Sequence, residues 1–287
     1  MSKLGTDLKT MCIRNADGSY ATQAARFLGL QLCARQLRAS GYNQMRAPML
    51  QMKHVMCLVR QWQNAELSAG TIKNRMANIR WWAEKTGKAG MIPKDNAELG
   101  IADRQYANTP NKAQVVDDKR LSRVTDPYVR MSLRLQAAFG LRREESIKIV
   151  PSTAVRGNLL YLNGPWCKGG RGRVEPIRTA GQRTVLRDAL VLADGGALIQ
   201  PGKSYIQQRD KYDGQCKAAG LSNMHGLRHQ YAQMRYEELT GWKSPKAGGP
   251  AHGTLKGEMR ETDRMARLTV SKELGHCRMG IVSVYCG

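Results

Sequence analysis

Apolar residues recur at helical intervals through the first third of the chain, and this pattern predicts three helices. The first runs from Ser19 to about Ala39, with Leu28 and Leu37 among its apolar positions and Gly41 as its stop. Two further helices follow, the second of them opening after a serine that can cap it. Their inward positions are Leu50, Val55, Leu58, Val59 and Trp62, and then, after Ser68, Ile72, Met76, Ile79 and Trp82.

These helices predict an all-helical domain over residues 19–90, preceded by a short N-terminal extension over 1–18. Between residues 91 and 116 the hydrophobic period is lost and glycine and proline accumulate, which indicates a linker. The remainder, residues 117–287, is predicted to form a second domain.

The second domain has mixed patterning. Asp126 followed by Pro127 predicts a helix start, Gly140 its stop, and Arg142 the opening of the next element. Short strands are expected on both sides of a glycine-rich turn, followed by three more helices. The fold class predicted is therefore mainly α with a small β-sheet (α+β). The expected strand positions are Leu159, Tyr161, Val174 and Ile177, and the expected helices lie near 181–193, 203–219 and 226–240.

Charge narrows the choice of partner. The 287 residues include 46 Lys plus Arg against 23 Asp plus Glu, which gives a formal net charge of +23 and a pI near 10.1. Such a field favours a polyanion, with nucleic acid as the leading candidate. No apolar run of about 18 residues predicts a membrane span, and no apolar signal region follows the first lysine. Seven dispersed cysteines indicate neither a disulfide framework nor a zinc site. We expect a cytoplasmic protein with access to DNA.

A tyrosine close to the end of the chain, Tyr285, follows three basic clusters, which contain Arg142, the His225–His229 segment and His276. A phenol has a pKa of about 10 and is a poor nucleophile at neutral pH, so a tyrosine that attacks phosphorus needs cations around the phosphate. Arginine donates to two phosphate oxygens at once, and histidine can donate a hydrogen bond or exchange a proton. The clusters therefore indicate a phosphate-attacking tyrosine with a cationic clamp.

The spacing of these residues resembles that of the tyrosine recombinases, the phage integrase family. Glu145 follows Arg142 by three positions, as the acidic residue does in that family's first arginine box. The segment containing His225, Arg228 and His229 is similar to its His-x-x-Arg-His box.

Two more features carry the same resemblance. The Leu-Gly-His triplet that ends at His276 resembles a box which precedes the family's nucleophile by nine positions, and Tyr285 stands nine positions after His276. Lys168, beside a glycine-rich turn, matches the family's lysine on a β-hairpin. The likeness is dense from about 120 to 285 and fainter from about 20 to 90, where it implies a helical, SAM-like core-binding domain ahead of the catalytic domain.

The resemblance implies a phosphoryl transfer that needs no metal, other cofactor or ATP. Tyr285 would attack a DNA phosphate and leave a 3′-phosphotyrosine link and a free 5′-hydroxyl, and the hydroxyl of a partner strand would reverse the step. Arg142 and Arg228 would clamp the phosphate, and His276 would donate a further hydrogen bond. Lys168 would protonate the leaving oxygen as general acid.

Other positions take supporting roles in the same comparison. His225 is the candidate that accepts the proton of Tyr285, while Glu145 and His229 orient Arg142 and the start of the 226–240 helix. Several basic residues are further candidates for DNA contact, although each could instead belong to a solvated charged face or a plain basic hairpin. They are Lys73, Arg75 and Arg80 on the third helix, and Arg171 and Arg173 beside Lys168.

The chain departs from the family pattern in the stretch between Arg228 and His276, which is longer than expected. The excess lies at about 240–262, a segment rich in glycine, proline and lysine. It is either a tolerated surface insertion or an added contact to DNA or to a neighbouring subunit. The chain also stops at Gly287, whereas many relatives carry a helix beyond the tyrosine that docks into the next protomer.

The first functional prediction is a site-specific DNA recombinase, an integrase of a bacterial mobile element. It would act on double-stranded DNA at a core site with inverted half-sites, as a homotetramer on synapsed DNA, with accessory DNA-bending or excisionase proteins as further partners and with the nucleoid as its place of work. One alternative is relaxation of DNA of the type IB topoisomerase kind. The other is a non-catalytic DNA-binding regulator that has kept the fold.

Overall fold

The computed structural model describes residues 2–104, 110–276 and 279–287. It divides the chain into two compact units, Met1–Gln105 and Tyr106–Gly287. Helices dominate, and the described residues contain one three-stranded sheet, which confirms the predicted fold class. No helix in the described ranges is both long and apolar enough to cross a bilayer.

In the described part of the first unit, four α-helices surround one apolar core. The serines Ser2, Ser19 and Ser68 cap three of these helices, because each side-chain oxygen accepts a hydrogen bond from a backbone amide of the first turn. The predicted inward positions of the last two helices are buried. The helices are α1 (Lys3–Arg14), α2 (Tyr20–Ala39), α3 (Met52–Asn64) and α4 (Ala69–Lys85).

One expectation for this unit is wrong. Residues 1–18 are not a mere extension, because Leu4 and Leu8 of α1 are buried in the core one helical turn apart. In α2, Leu28 is 65% exposed, and the buried stripe of the helix starts at Leu30. The hydrophobic period locates a helix, but the packing partner decides which of its apolar residues face inward.

The linker is shorter than the pattern indicated. Ile92, Leu99 and Ile101 are buried in the core of the first unit, so most of the segment from 91 onwards belongs to that unit. The break between the units falls at residue 105, and residues 105–109 lie outside the described ranges.

The second unit begins with five helices and a small sheet. Asp126 caps α6, and Gly140 ends it in the left-handed conformation, both as predicted. The connection from β2 to β3 carries the glycine-rich turn, so Lys168 lies on a β-hairpin. The elements are α5 (Asp118–Ser122), α6 (Pro127–Phe139), α7 (Arg143–Lys148), α8 (Pro151–Ala154), β1 (Val155–Arg156), β2 (Leu159–Leu162), β3 (Arg173–Pro176) and α9 (Ala180–Ala193). The sheet is antiparallel in the order β1-β2-β3.

The second half of this unit is helical and surrounds α6. Helices α9 and α11 both pack on α6, and α12 and α13 pack on α11. The expected 240–262 loop is also shorter, because Gly257 already opens α12. What remains, residues 241–256, is partly buried, with Ser244 and Leu255 inside. The helices are α10 (Tyr205–Ala218), α11 (Gly226–Thr240), α12 (Gly257–Glu273) and α13 (Ser283–Cys286).

Candidate active site

Tyr285 lies on the single turn of α13 and is 5% exposed. Three histidine rings surround its phenol ring. The ring centroids lie 4.6 Å away for His229, 5.5 Å for His276 and 6.1 Å for His225. The guanidinium carbon of Arg228 is 5.9 Å from the same ring. The fold therefore gathers three sequence clusters around one tyrosine.

Arg228 joins the ends of three helices. Its side chain is fully buried on the first turn of α11. Nη1 donates to the carbonyl oxygen of Gly140 at 2.6 Å, at the end of α6, and Nη2 donates to the carbonyl oxygen of Leu274, just after α12. Nε is buried without a hydrogen-bond partner in the described ranges. One side chain thus links the three basic clusters.

Gly140, two positions before Arg142, is required by its surroundings. Gly140 adopts a φ of +62°, and a Cβ at this position would lie 2.6 Å from Cδ1 of Tyr231. The left-handed turn lets Arg142 follow as the N-cap of α7. The backbone amide of Arg142 donates to Glu145 at 2.8 Å, and its Nη1 donates to the same carboxylate at 2.7 Å.

Glu145 is the buried centre of the cationic cluster. It accepts from Arg142 and also a two-point contact from Arg173 at 3.0 and 2.9 Å, and Nη1 of Arg228 lies 4.0 Å from it. Burial opposes ionisation, but the hydrogen bonds and charge of Arg173, with Arg228 and the Arg142 amide, lower the pKa of Glu145 to about 2. Its charge is therefore kept at neutral pH, which fits the predicted role of orienting Arg142.

Arg173 does not lie on the surface as a DNA contact would. It is 5% exposed, and besides Glu145 it donates to Oε1 of Glu175 and to the carbonyl oxygen of Glu273, both at 2.8 Å. The structure places this residue in the interior rather than at a phosphate-contacting surface, because each of its three nitrogens has an acceptor inside the protein. Glu175, which the sequence reasoning missed, is fully buried on β3, and burial raises its pKa to about 7.

The histidines are held in the neutral form at pH 7. Desolvation first, and then neighbouring cationic or histidine side chains, lower the pKa of His229 and of His276 to about 4 each. The pKa of His225 is also lowered, by desolvation and by Arg228 and Arg142. Nε2 of His276 lies 3.4 Å from Nη2 of Arg228. A guanidinium can only donate, so Nε2 accepts in this contact. Neutral rings can take up a proton.

Lys168 stands apart from this group. It is exposed on a short turn, 168–170, whose Gly169 and Gly170 both have positive φ. Among the described residues no contact joins its side chain to Tyr285 or to the arginines. The turn is connected to the cluster through its neighbour Cys167, whose Sγ lies 3.7 Å from Nη1 of Arg173. Arg171 on the same connection is exposed.

The three basic residues predicted as DNA contacts on α4 differ in their surroundings. Lys73 pairs with Asp103 at 2.6 Å, and Arg75 lies over the ring of Trp62 at 5.3 Å. Arg80 donates to Asn96 at 3.1 Å and to the carbonyl oxygen of Pro93 at 2.8 Å. These bonds give Arg80 a structural role, since they hold the segment after α4 against the helix.

Two family models match the chain. The phage integrase N-terminal model matches residues 1–92, and the integrase model matches residues 101–234. The second match includes Arg142 and the His225–His229 segment, whereas His276 and Tyr285 lie beyond it. No curated protein sequence matches the chain.

Solved structures with the same fold include three DNA complexes. A lambda integrase dimer bound to a COC′ core site has a TM-score of 0.65 and 14% identity, covering 99% of this chain and 77% of that one. XerH recombinase in a post-cleavage complex with difH has a TM-score of 0.59 and 14% identity, and the match covers 99% of this chain and 81% of that one. The Tn1549 transposon integrase with circular intermediate DNA has a TM-score of 0.56 and 11% identity, and the match covers 100% of this chain and 96% of that one. At these identities the likeness shows a shared fold.

Proposed function

The chain belongs to the phage integrase family of tyrosine recombinases, and from this premise we propose that it is a site-specific DNA recombinase that integrates or excises a mobile element. One observation carries the proposal. Tyr285 is enclosed by three neutral histidines and lies against the buried guanidinium of Arg228, which is the setting a phosphate-attacking phenol needs. An arginine buried this deeply is rarely kept without a ligand or partner to use its charge.

The arginines would hold the scissile phosphate. Arg228 has five N–H donors, and the carbonyl oxygens of Gly140 and Leu274 together with Nε2 of His276 occupy three of them. Its remaining donors, with those of Arg142, are available for the non-bridging oxygens, where negative charge increases in the transition state. Glu145 fixes Arg142 in place without neutralising the cluster, because Arg173 shares its charge.

Proton transfer would use residues on the two sides of the phosphate. A neutral histidine accepts the phenol proton as Tyr285 attacks, and Lys168 protonates the leaving 5′-oxygen. His225 keeps its proposed role as the base. The ring of His229 lies closer to Tyr285, at 4.6 Å, and supports the tyrosine from the buried side. The attack forms the 3′-phosphotyrosine bond and breaks the bond to the 5′-oxygen, so no external energy source is required.

The proposed substrate is double-stranded DNA with inverted half-sites, each bound by one protomer, with four protomers in the synaptic complex. Lambda integrase has been solved both as a dimer on a core site and as a tetramer on a Holliday junction, and these arrangements support the proposal. Accessory DNA-bending or excisionase proteins are proposed as further partners, and the bacterial cytoplasm, on the nucleoid, as the place of action.

Covalent trapping tests the proposal. Wild type, Tyr285→Phe and Tyr20→Phe are incubated with nicked duplexes carrying candidate attachment sites. Tyr20 is 92% exposed in the first unit and serves as the matched control. Wild type and Tyr20→Phe are expected to form a protein–DNA adduct that survives denaturation, and Tyr285→Phe to form none.

Other outcomes select the alternatives. Salt-sensitive binding to a verified site without any adduct would support the non-catalytic regulator. An adduct that relaxes supercoiled plasmid lacking an attachment site, without strand exchange, would support the topoisomerase. An adduct that persists in Tyr285→Phe would place the nucleophile elsewhere.

A further inference from the structure

The helix that carries Tyr285 is a single turn, and it cannot satisfy its own last carbonyl groups. Two side chains from other elements do so, and a third holds the residue that follows the helix. Lys246 Nζ donates to the carbonyl oxygen of Val284 at 2.8 Å, and Gln233 Nε2 donates to that of Tyr285 at 2.9 Å. Arg267 Nη1 donates to the carbonyl oxygen of Gly287 at 2.6 Å. The backbone at the tyrosine is therefore held by side chains of α11, α12 and the 241–256 loop.

Asn111 connects two of these donors. Its Nδ2 donates to the carbonyl oxygen of Lys246 at 2.9 Å, and its Oδ1 accepts from Gln233 Nε2 at 2.8 Å. Gln233 is 5% exposed, so its hydrogen bonds form where water competes little. Asn111 lies near the start of the second unit. The start of the second unit and the 241–256 loop thus meet at the tyrosine's backbone.

The loop itself has a defined shape. Ser244 is fully buried, and its carbonyl oxygen accepts from the amide of Gly249 at 2.9 Å. A Cβ on Gly249 would lie 1.6 Å from the carbonyl oxygen of Lys243, so only glycine fits this turn. The turn places Lys246 at α13. A solvated, tolerated insertion would not need a glycine here, a buried serine, or a lysine donating inward.

We propose that Lys246, Gln233 and Asn111 are positioning residues that seat Tyr285 in the active site of its own chain, and that the 241–256 loop serves to supply Lys246. The proposal rests on the proposed function and deepens it. It argues against Lys246 itself as a DNA or subunit contact, because its ammonium group is directed to Val284. The rate of attack depends on the position of the tyrosine hydroxyl, since a misplacement of about 1 Å can lower the rate about 100-fold.

The test uses four full-length variants beside wild type. Lys246→Met keeps the length of the side chain and removes the donor, and Lys246→Arg restores a cation. Gln233→Glu keeps the shape and replaces the donor to the Tyr285 carbonyl with an acceptor. Lys243→Met is the matched control, because Lys243 is exposed on the same loop and makes no described side-chain contact. Three quantities are measured: DNA affinity, the single-turnover rate of adduct formation, and hydrogen exchange of residues 280–287 without DNA.

Lys246→Met and Gln233→Glu are expected to form the adduct about 10- to 100-fold more slowly, with DNA affinity within about twofold of wild type and faster exchange confined to 280–287. Lys246→Arg should recover most of the rate, and Lys243→Met should match wild type throughout. Unchanged adduct rate and exchange in both donor variants would overturn the proposal. A loss of affinity that accounts for the loss of rate, with unchanged exchange, would overturn it in favour of a DNA-contacting loop.

The exchange measurement separates the two proposals. If wild type forms no adduct on a verified site, the recombinase function fails. Hydrogen exchange at 280–287 in the Lys246 and Gln233 variants still reports whether these two side chains hold the segment. If wild type forms the adduct and the donor variants behave identically to it, the function stands and the positioning role fails.

Discussion

Three arginines of the second unit carry the same charge in three different settings. Arg142 is held by Glu145 and keeps part of its guanidinium exposed, Arg173 is enclosed by carboxylates, and Arg228 is fully buried against backbone carbonyls. All three nitrogens of Arg173 donate to carboxylates, whereas Nε of Arg228 has no partner among the described residues. Burial and the identity of the partner, not the residue type, decide the role.

Gly140 is the single residue on which this arrangement depends most closely. Gly140→Ala is expected to lower the free energy of unfolding by about 1–3 kcal/mol through its positive φ alone, and by more through the contact with Tyr231, 2.6 Å from the added Cβ. Gly157→Ala is the matched control, since Gly157 has a φ of +57° and no atom within 4 Å of the added Cβ. Urea unfolding measures both. Equal losses in the two variants would contradict the steric part of the prediction.

Helix ends, rather than helix faces, build the active site. The end of α6, the start of α11 and the end of α12 meet at Arg228, and α13 adds the tyrosine. A helix terminus has unsatisfied backbone groups, so termini that converge need a donor such as a buried guanidinium. The guanidinium of Arg228 that is proposed to hold the phosphate therefore also holds the helix ends together.

Arg228→Ala and Arg142→Ala are therefore expected to differ in stability while both lose adduct formation. Arg228→Ala leaves two buried carbonyl groups without their donor and should cost on the order of 3 kcal/mol. Arg142→Ala should cost about 1 kcal/mol or less, because its side chain is partly exposed and Glu145 keeps Arg173. Denaturant unfolding together with the trapping reaction checks this. A larger loss of stability for Arg142→Ala than for Arg228→Ala would contradict it.

The whole molecule carries a net charge of +23, spread over both units. A protein that neutralises many phosphates releases their counterions, so binding to DNA weakens as salt increases. On the connection from β2 to β3, the exposed Arg171 lies three positions after Lys168, the candidate general acid.

The affinity for DNA is expected to fall steeply with salt, by about 0.9 log units per neutralised phosphate for each tenfold increase in salt. Arg171→Ala should reduce that slope by about 0.9 if the side chain holds one phosphate. Arg187→Ala removes the same charge from an exposed position on α9 and should change the slope little. Affinity titrations at several salt concentrations measure the slopes. A flat dependence in wild type would contradict binding to many phosphates.

The sequence determined most of the helices. The period of apolar residues located α2, α3 and α4, while Asp126 with Pro127 and Gly140 marked the two ends of α6. The resemblance to the boxes of the tyrosine recombinases also marked the candidate residues Arg142, Arg228, His276 and Tyr285. Local rules are enough to locate the helices, since helical period, caps and turns depend on neighbours within a few positions.

Only the tertiary structure decided what depends on partners far along the chain. It buried Arg173 between Glu145 and Glu175, committed Arg80 to the segment after α4, and added α1 to the first core. It also turned the expected surface loop inward, so that Lys246 reaches the backbone beside Tyr285. Charge and polarity can be read from the sequence, but burial and pairing follow from long-range packing, which decides whether a cation faces solvent, a carboxylate or a carbonyl group.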